Sequence, residues 1–285
     1  MDQRVIDLYD EYTHKPLTRK DFMVRLLHIT GSTSVAMAML AQLESGCAPA
    51  AKTTSDELFT ERITYPGATG AMQAYVARPK TEKKYAAVVV IHENRGLNAH
   101  IEDVTRRAAR AGYLAIAPNA LSPLGGTPAS EDDARQLFTK LKPEESLQNF
   151  IKVFDYLGAR KDCNGSFGCV GFCWGGAMSN NLAVHVPTLR AAVAFYGMQP
   201  PAADVPKIKA AVQLHYGGLD ERVNAGKDAY ENALKSAGIT YEQYVYEGVN
   251  HAFHNDTSTA RYNEAAAKLA WQRTLAFFEK NLKKG

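Results

Sequence analysis

A cysteine set between glycines, Gly171-Phe172-Cys173-Trp174-Gly175, is the most chemically pointed feature of this chain. G-x-C-x-G is the thiol version of the nucleophile-elbow pattern, in which the reactive residue sits on a sharp turn between a strand and a helix. The flanking glycines let neighbouring backbone come close. The N-terminus of the following helix favours a thiolate and any oxyanion that develops beside it. The context the pattern requires is present, because residues 167–172 read as a strand and residues 177–186 can be helical. A buried structural cysteine in a glycine-rich turn is the plainer alternative.

Three further segments could complete an acyl-transfer site. Asp220 follows an apolar run at 211–216 and the turn Gly217-Gly218, where a carboxylate can accept a hydrogen bond from an imidazole and fix its tautomer. Alone, Asp220 would more often be a helix cap, and the adjacent Glu221 competes for the role. His251 lies in a loop after the last strand-like run and could serve as general base and then general acid, with His254 as its local competitor. The chain order of nucleophile, acid and histidine is that of an α/β-hydrolase. The fourth segment, Ile91-His92-Glu93-Asn94-Arg95-Gly96, closes the first buried strand. There the backbone N–H of Asn94, with that of Trp174, could bind the oxygen of a tetrahedral intermediate. Glu93 reads either as a surface carboxylate paired with Arg95 or as a second acid/base group beside the thiol.

The elements that must position these residues are legible from about residue 55. Residues 58–65 and 71–78 flank Pro66-Gly67-Ala68-Thr69-Gly70 and read as a hairpin. Continuous apolar runs at 86–91, 113–117, 167–172, 191–196 and 211–216 suit strands covered on both faces. Residues 241–246 alternate polar with apolar, as a strand nearer an edge would. Leu147, Phe150, Ile151, Phe154 and Leu157 form one helical stripe, and Trp271, Leu275, Phe278 and Leu282 another. Such alternation predicts an α/β fold with a mainly parallel sheet of about eight strands and helices on both faces. Functional groups then collect at the carboxyl ends of the strands.

Residues 1–54 read as a separate N-terminal extension, and residues 55–285 as the catalytic domain. Thr18-Arg19-Lys20-Asp21-Phe22-Met23, a mostly uncharged stretch at 29–43 and Ala48-Pro49-Ala50 have the parts of an export signal, resembling a twin-arginine leader with Lys20 in place of the second arginine. Asp21 and Glu44 favour the other reading, a retained helical arm packed on the catalytic domain or on a second subunit of a homodimer. A retained arm goes with a cytoplasmic protein, and a working signal with export. Cys47 after Gly46 reads as an ordinary small residue rather than a lipidation site.

Composition narrows the class. With 285 residues, 46% of them hydrophobic, the chain can bury a large core, and a formal charge of +3 without a basic cluster sets nucleic-acid binding aside. Four cysteines are too few for a disulfide framework, and none has C-x-x-C spacing with another, which disfavours a structural zinc site. No apolar run is long enough to span a membrane as a helix.

Taken together, residues 91–96, 171–176, 217–220 and 250–253 resemble the dienelactone hydrolase family, over roughly residues 55–285. The resemblance implies an α/β-hydrolase fold and hydrolysis of a small ester or enol-lactone with neither metal nor organic cofactor. It casts Cys173 as nucleophile, His251 as base, Asp220 as its orienter, and Glu93 as the glutamate that holds the resting thiol. The chain departs from the family at its carboxylate clamp. Asn255 stands where an arginine is expected four residues after the histidine, and none occurs near Ser122-Pro123-Leu124. Losing a bidentate guanidinium removes charge and geometry for a carboxylate, so a neutral or less charged ester is expected. Arg95 or Arg261 could compensate, and Arg95, Leu124 and Asn255 are candidate pocket residues. The rival readings are a thioesterase or peptidase on the same machinery, or a binding protein that keeps only the fold.

Overall fold

The structure is a computed structural model, and it describes residues 1–15, 17–44 and 57–283. Cys47 and the Ala48-Pro49-Ala50 segment therefore lie outside the described residues, as does the boundary expected near residue 54. In chain order the helices are α1 (Gln3–His14), α2 (Arg19–Thr30), α3 (Thr33–Glu44), α4 (Ala99–Arg110), α5 (Glu131–Phe138), α6 (Pro143–Ala159), α7 (Trp174–His185), α8 (Glu221–Asn224), α9 (Lys227–Ser236) and α10 (Glu264–Leu282). The strands are β1 (Leu58–Pro66), β2 (Ala71–Pro79), β3 (Tyr85–Ile91), β4 (Leu114–Pro118), β5 (Cys163–Phe172), β6 (Leu189–Phe195), β7 (Ala211–Gly217) and β8 (Tyr241–Tyr246).

The eight strands form one sheet in the order β1-β2-β4-β3-β5-β6-β7-β8. β1 and β2 are the expected hairpin, β2 runs antiparallel to β4, and the pairings from β4 through β8 are parallel. Buried strands need apolar side chains on both faces, and β3, β4 and β7 are buried at every position. β8, at the edge, is mostly half-buried, which is why its residues alternate. On one face, Phe150, Val153 and Leu157 of α6, Leu182 of α7 and Leu234 of α9 pack against the sheet. On the other, Ile101 and Val104 of α4 join Ala270, Phe277 and Phe278 of α10. The helical stripes read from the sequence are thus the surfaces that close the core. In this α/β-hydrolase sheet the carboxyl ends of β3, β5, β7 and β8 open toward one edge and supply the candidate residues.

The helical extension has an apolar cluster of its own, in which Val5, Leu8, Tyr9 and Tyr12 of α1 meet Phe22 and Leu26 of α2 and Leu40 and Leu43 of α3. Thr18 caps α2 by accepting from the Asp21 N–H, and Gly31 ends it in the left-handed conformation that favours glycine. Among the described residues no single helix is long and apolar enough to cross a membrane. Arg19, from the twin-basic motif, forms ion pairs with Glu44 and with Asp132 of α5.

Candidate active site

Cys173 occupies the tight turn between β5 and α7, at φ 56° and ψ −113°. A non-glycine residue held there is strained, and surrounding backbone must enforce it. It is enforced by an N–H···O bond from Cys173 to Phe195 of β6 and by close packing of glycines. A Cβ on Gly171 would lie 1.8 Å from the Gly175 carbonyl oxygen, and one on Gly175 would lie 2.3 Å from that of Ile91. The glycines of the elbow are therefore a steric requirement. Trp174 begins α7, so its N–H is among the helix's unpaired amides, directed to the same end as the sulfur.

His251 and Asp220 form a buried pair, with His251 Nδ1 2.5 Å from Asp220 Oδ2 and both side chains at most 4% exposed. A carboxylate oxygen can only accept, so the proton sits on Nδ1 and the lone pair on Nε2. That Nε2 is buried and has no hydrogen-bond partner among the described residues. Asp220 also caps α8, its Oδ1 accepting from the Val223 N–H at 3.2 Å. The cap and the histidine orienter, competing readings in the sequence, are one residue using two oxygens. The local competitors are elsewhere: Glu221 is exposed, and His254 is buried against Phe172 and Phe195. Burial, with His100 and Arg107 nearby, holds His254 well below the ordinary imidazole range.

Glu93 accepts from Asn255 Nδ2 at 2.8 Å and from the Tyr196 hydroxyl at 3.3 Å. Burial, with Glu93 and Cys173 close by, pushes the Tyr196 phenol well above its ordinary value, so it remains a neutral donor. His92 holds this corner in place, with Nδ1 2.6 Å from the Glu93 carbonyl and Nε2 accepting from the Ala120 N–H. Burial lowers His92 to about 4, so it acts as a neutral brace.

The residue that sequence reasoning missed is His14, the last of α1. Its Nε2 is 3.0 Å from Cys173 Sγ, and its ring packs edge-on to His251 with centroids 4.8 Å apart. Nδ1 of His14 points at the Asp10 carbonyl oxygen at 2.8 Å, with the Asp10 carboxylate at 3.2 Å. Burial by itself would lower His14, but Cys173 and Asp10 outweigh it and raise the imidazole above its ordinary value. Burial would likewise raise Asp10, yet His251, His14 and Arg222 hold its carboxyl far below the usual range. A signal was present in the sequence, since Asp10 and His14 stand four apart on an amphipathic helix and so share a face. That spacing shows a shared face, but nothing in the sequence of the arm tells which surface the face covers.

Body residues clamp α1 over the site. Arg135 donates to the carbonyl and hydroxyl of Tyr12 and lies 3.9 Å over its ring. Asn94 Nδ2 donates to the Thr13 carbonyl at 2.8 Å, and Arg222 Nε pairs with Asp10 at 3.2 Å. Thr13 and His14 thereby divide the cleft. On one side is a cavity of about 50 Å³ bordered by Glu93, Arg95, Asn255 and Arg261. On the other is one of about 460 Å³ walled by Phe138, Leu141, Pro143, Trp174 and Met198. Cys173, Asn94 and His251 border both. Leu124 borders neither: it ends a 3-10 turn that faces solvent, tied down by Ser122 Oγ accepting from the Gln73 N–H.

Comparison with known proteins gives a consistent result. Residues 72–282 match the model of the "Dienelactone hydrolase family", a match that begins after the arm carrying His14. A protein of Escherichia coli O157:H7 named "Putative carboxymethylenebutenolidase" is 32% identical over 265 residues, covering 85% of this chain and 97% of the relative. One of the same name from Salmonella typhimurium is 34% identical, covering 82% and 95%. A crystal structure titled as a "Putative Dienelactone Hydrolase" from Klebsiella pneumoniae superposes with a TM-score of 0.70 at 32% identity, covering 78% of this chain and 99% of that one.

Proposed function

Since this chain belongs to the dienelactone hydrolase family and is a carboxylic ester or lactone hydrolase, we propose that Cys173, His251 and Asp220 perform the hydrolysis through an acyl-cysteine intermediate. The observation that carries this reading is the buried Asp220–His251 pair, which leaves Nε2 unpartnered among the described residues and has a ring nitrogen within 4.8 Å of the sulfur on the strained elbow.

As the sulfur of Cys173 adds to the substrate carbonyl carbon, the thiol proton passes to Nε2 of His251. The backbone N–H groups of Asn94 and Trp174 receive the oxyanion, a contribution of about 10²–10³ in rate per donor in comparable sites. The carbon–oxygen bond to the leaving group breaks as His251 protonates the departing alkoxide or enolate. Water then gives a proton to His251 as its oxygen adds to the thioester, and the carbon–sulfur bond breaks to release the acid as His251 returns that proton to the sulfur. Thiolate is expelled more easily than alkoxide, so the tetrahedral intermediate goes forward only when the other group also leaves readily. Activated esters and enol-lactones meet that condition, and plain amides do not.

The surroundings of the pair support further roles. His14, 3.0 Å from the sulfur, is the hydrogen-bond partner of Cys173 between turnovers. Glu93, fixed by Asn255 and Tyr196, is the second carboxylate of the site. Arg95 and Arg261 take the place of the missing carboxylate clamp at the small polar cavity, and the apolar cavity receives the bulk of the substrate. Division of the chain into residues 1–54 and 55–285 belongs to the same proposal, with the first part completing the site of the second.

The test is rapid-quench mass spectrometry with an activated ester. An adduct on Cys173 that forms and decays at the turnover rate is expected, and Cys173→Ala should show neither adduct nor turnover. Full esterase activity in Cys173→Ala would overturn the proposal. A panel of esters, thioesters and amides should show turnover falling steeply toward the amides.

A further inference from the structure

Outside the reaction itself, the grouping of His14, Cys173 and His251 is unusual for what it offers a metal ion. Each presents one donor atom, and the three atoms lie within 4.8 Å of one another. Two imidazole nitrogens and a thiolate make a borderline-soft set that suits zinc, and three protein ligands with one open position is a known zinc arrangement. From ordinary zinc–sulfur and zinc–nitrogen lengths, tetrahedral ligand atoms stand about 3.5 Å apart. The His14–Cys173 separation of 3.0 Å is already close to that value. The other two separations are at most 4.8 Å, so closing them takes displacements on the order of 1 Å.

Both imidazoles are prepared as ligands. Metal-binding histidines generally donate their other N–H to a carboxylate or carbonyl, which fixes the tautomer and aims the lone pair. His251 does so to Asp220, and His14 does so at Asp10. The buried Nε2 of His251 has no partner among the described residues, an independent sign that something belongs there. The larger cavity borders all three ligands and leaves room for a fourth from solvent. Among the described residues no other group of three such donors comes this close, and the one carboxylate of the His100–Asp256–Arg107 cluster is already paired with two cationic side chains.

We propose that His14, Cys173 and His251 bind one zinc ion per chain, which silences the hydrolase and locks the N-terminal arm onto the catalytic domain. Binding converts the thiol to a zinc thiolate and releases its proton to solvent. It occupies the nucleophile and the base together. Because one ligand comes from the arm and two from the body, the ion adds coordinate bonds between parts that the described residues hold together by polar contacts and packing. The inference takes the reading of Cys173 and His251 above as the reason that binding inhibits, whereas the binding itself rests on geometry alone.

The experiment uses the full chain, stripped with a chelator and titrated with cobalt(II), then with zinc in competition. Saturation at one equivalent is expected, with an intense near-ultraviolet thiolate-to-cobalt band and the visible bands of tetrahedral cobalt. Cys173→Ser should lose the near-ultraviolet band. His14→Ala should weaken zinc by at least about 100-fold, more than the 10–100-fold usual for loss of an outer-shell partner, which Asp10→Asn should show. Zinc at one equivalent should abolish ester hydrolysis, and chelator should restore it. Cobalt bound without a thiolate band, or unchanged zinc affinity in His14→Ala with native circular dichroism, would overturn the proposal. Ester hydrolysis by the chelated enzyme is measured alongside. Its absence would count against the hydrolytic mechanism and leave the spectroscopic result standing.

Discussion

Replacing His14 by glutamine separates two things that side chain does: it covers the sulfur, and it supplies charge to it. Glutamine has similar reach and can donate an N–H to the sulfur, but it carries no charge. In the native site the contact is 3.0 Å long, and the His14 side chain is 13% exposed, so solvent screens it little. A hydrogen bond to a charged group contributes about 1.5–3 kcal/mol and a neutral one about 0.5–1.5 kcal/mol. The difference, roughly 1–1.5 kcal/mol, corresponds to a factor of about 5 to 12 in how strongly the contact favours the reactive sulfur. Alkylation of Cys173 by iodoacetamide at neutral pH, followed by mass spectrometry in the presence of chelator, should therefore slow by about that factor. An unchanged or faster neutral-pH rate in His14→Gln would mean that His14 only covers the sulfur, and the charge argument would fail.

Other consequences follow from individual contacts. Asp220→Asn keeps the α8 cap but presents an amide to His251, and should lower kcat for ester hydrolysis by about 10²–10⁴ with the melting temperature little changed. An unaffected kcat would remove Asp220 from the mechanism. Gly175→Ala puts a methyl group 2.3 Å from the Ile91 carbonyl oxygen and should cost about 1–3 kcal/mol or more in denaturant unfolding. A neutral effect would show that the elbow has slack. The docking of α1 should depend on pH in two directions. His14 is raised in the folded state, so its contribution is full below the ordinary imidazole value and is lost as pH rises through the folded value. Asp10 is lowered, so its contribution is present above the ordinary carboxylate value and is lost as pH falls below it. Amide hydrogen exchange in α1, corrected for intrinsic rates, should be slowest between these limits, and pH-independent protection would contradict the assignment.

The local grammar of the catalytic body is short-range, and for that reason the sequence determined much of it. Continuous apolar runs mean strands buried on both faces, helical stripes mean faces that close a core, and glycines two residues from a cysteine mean a turn that excludes a Cβ. Those rules placed the hairpin, the parallel strands and the elbow, and the chain order of Cys173, Asp220 and His251 indicated which strand ends to compare. Tertiary structure decided what depends on atoms far apart in sequence. Which oxygen of Asp220 caps a helix and which takes a proton is set by where the β7 and β8 loops meet. That Glu93 bonds to Asn255, 162 residues away, is set by the approach of two strand ends. Above all, His14 reaches a sulfur 159 residues along the chain because α1 docks across the cleft, held by Arg135, Asn94 and Arg222. A helix's own periodicity tells which residues share its face; it carries no information about the surface that face will cover.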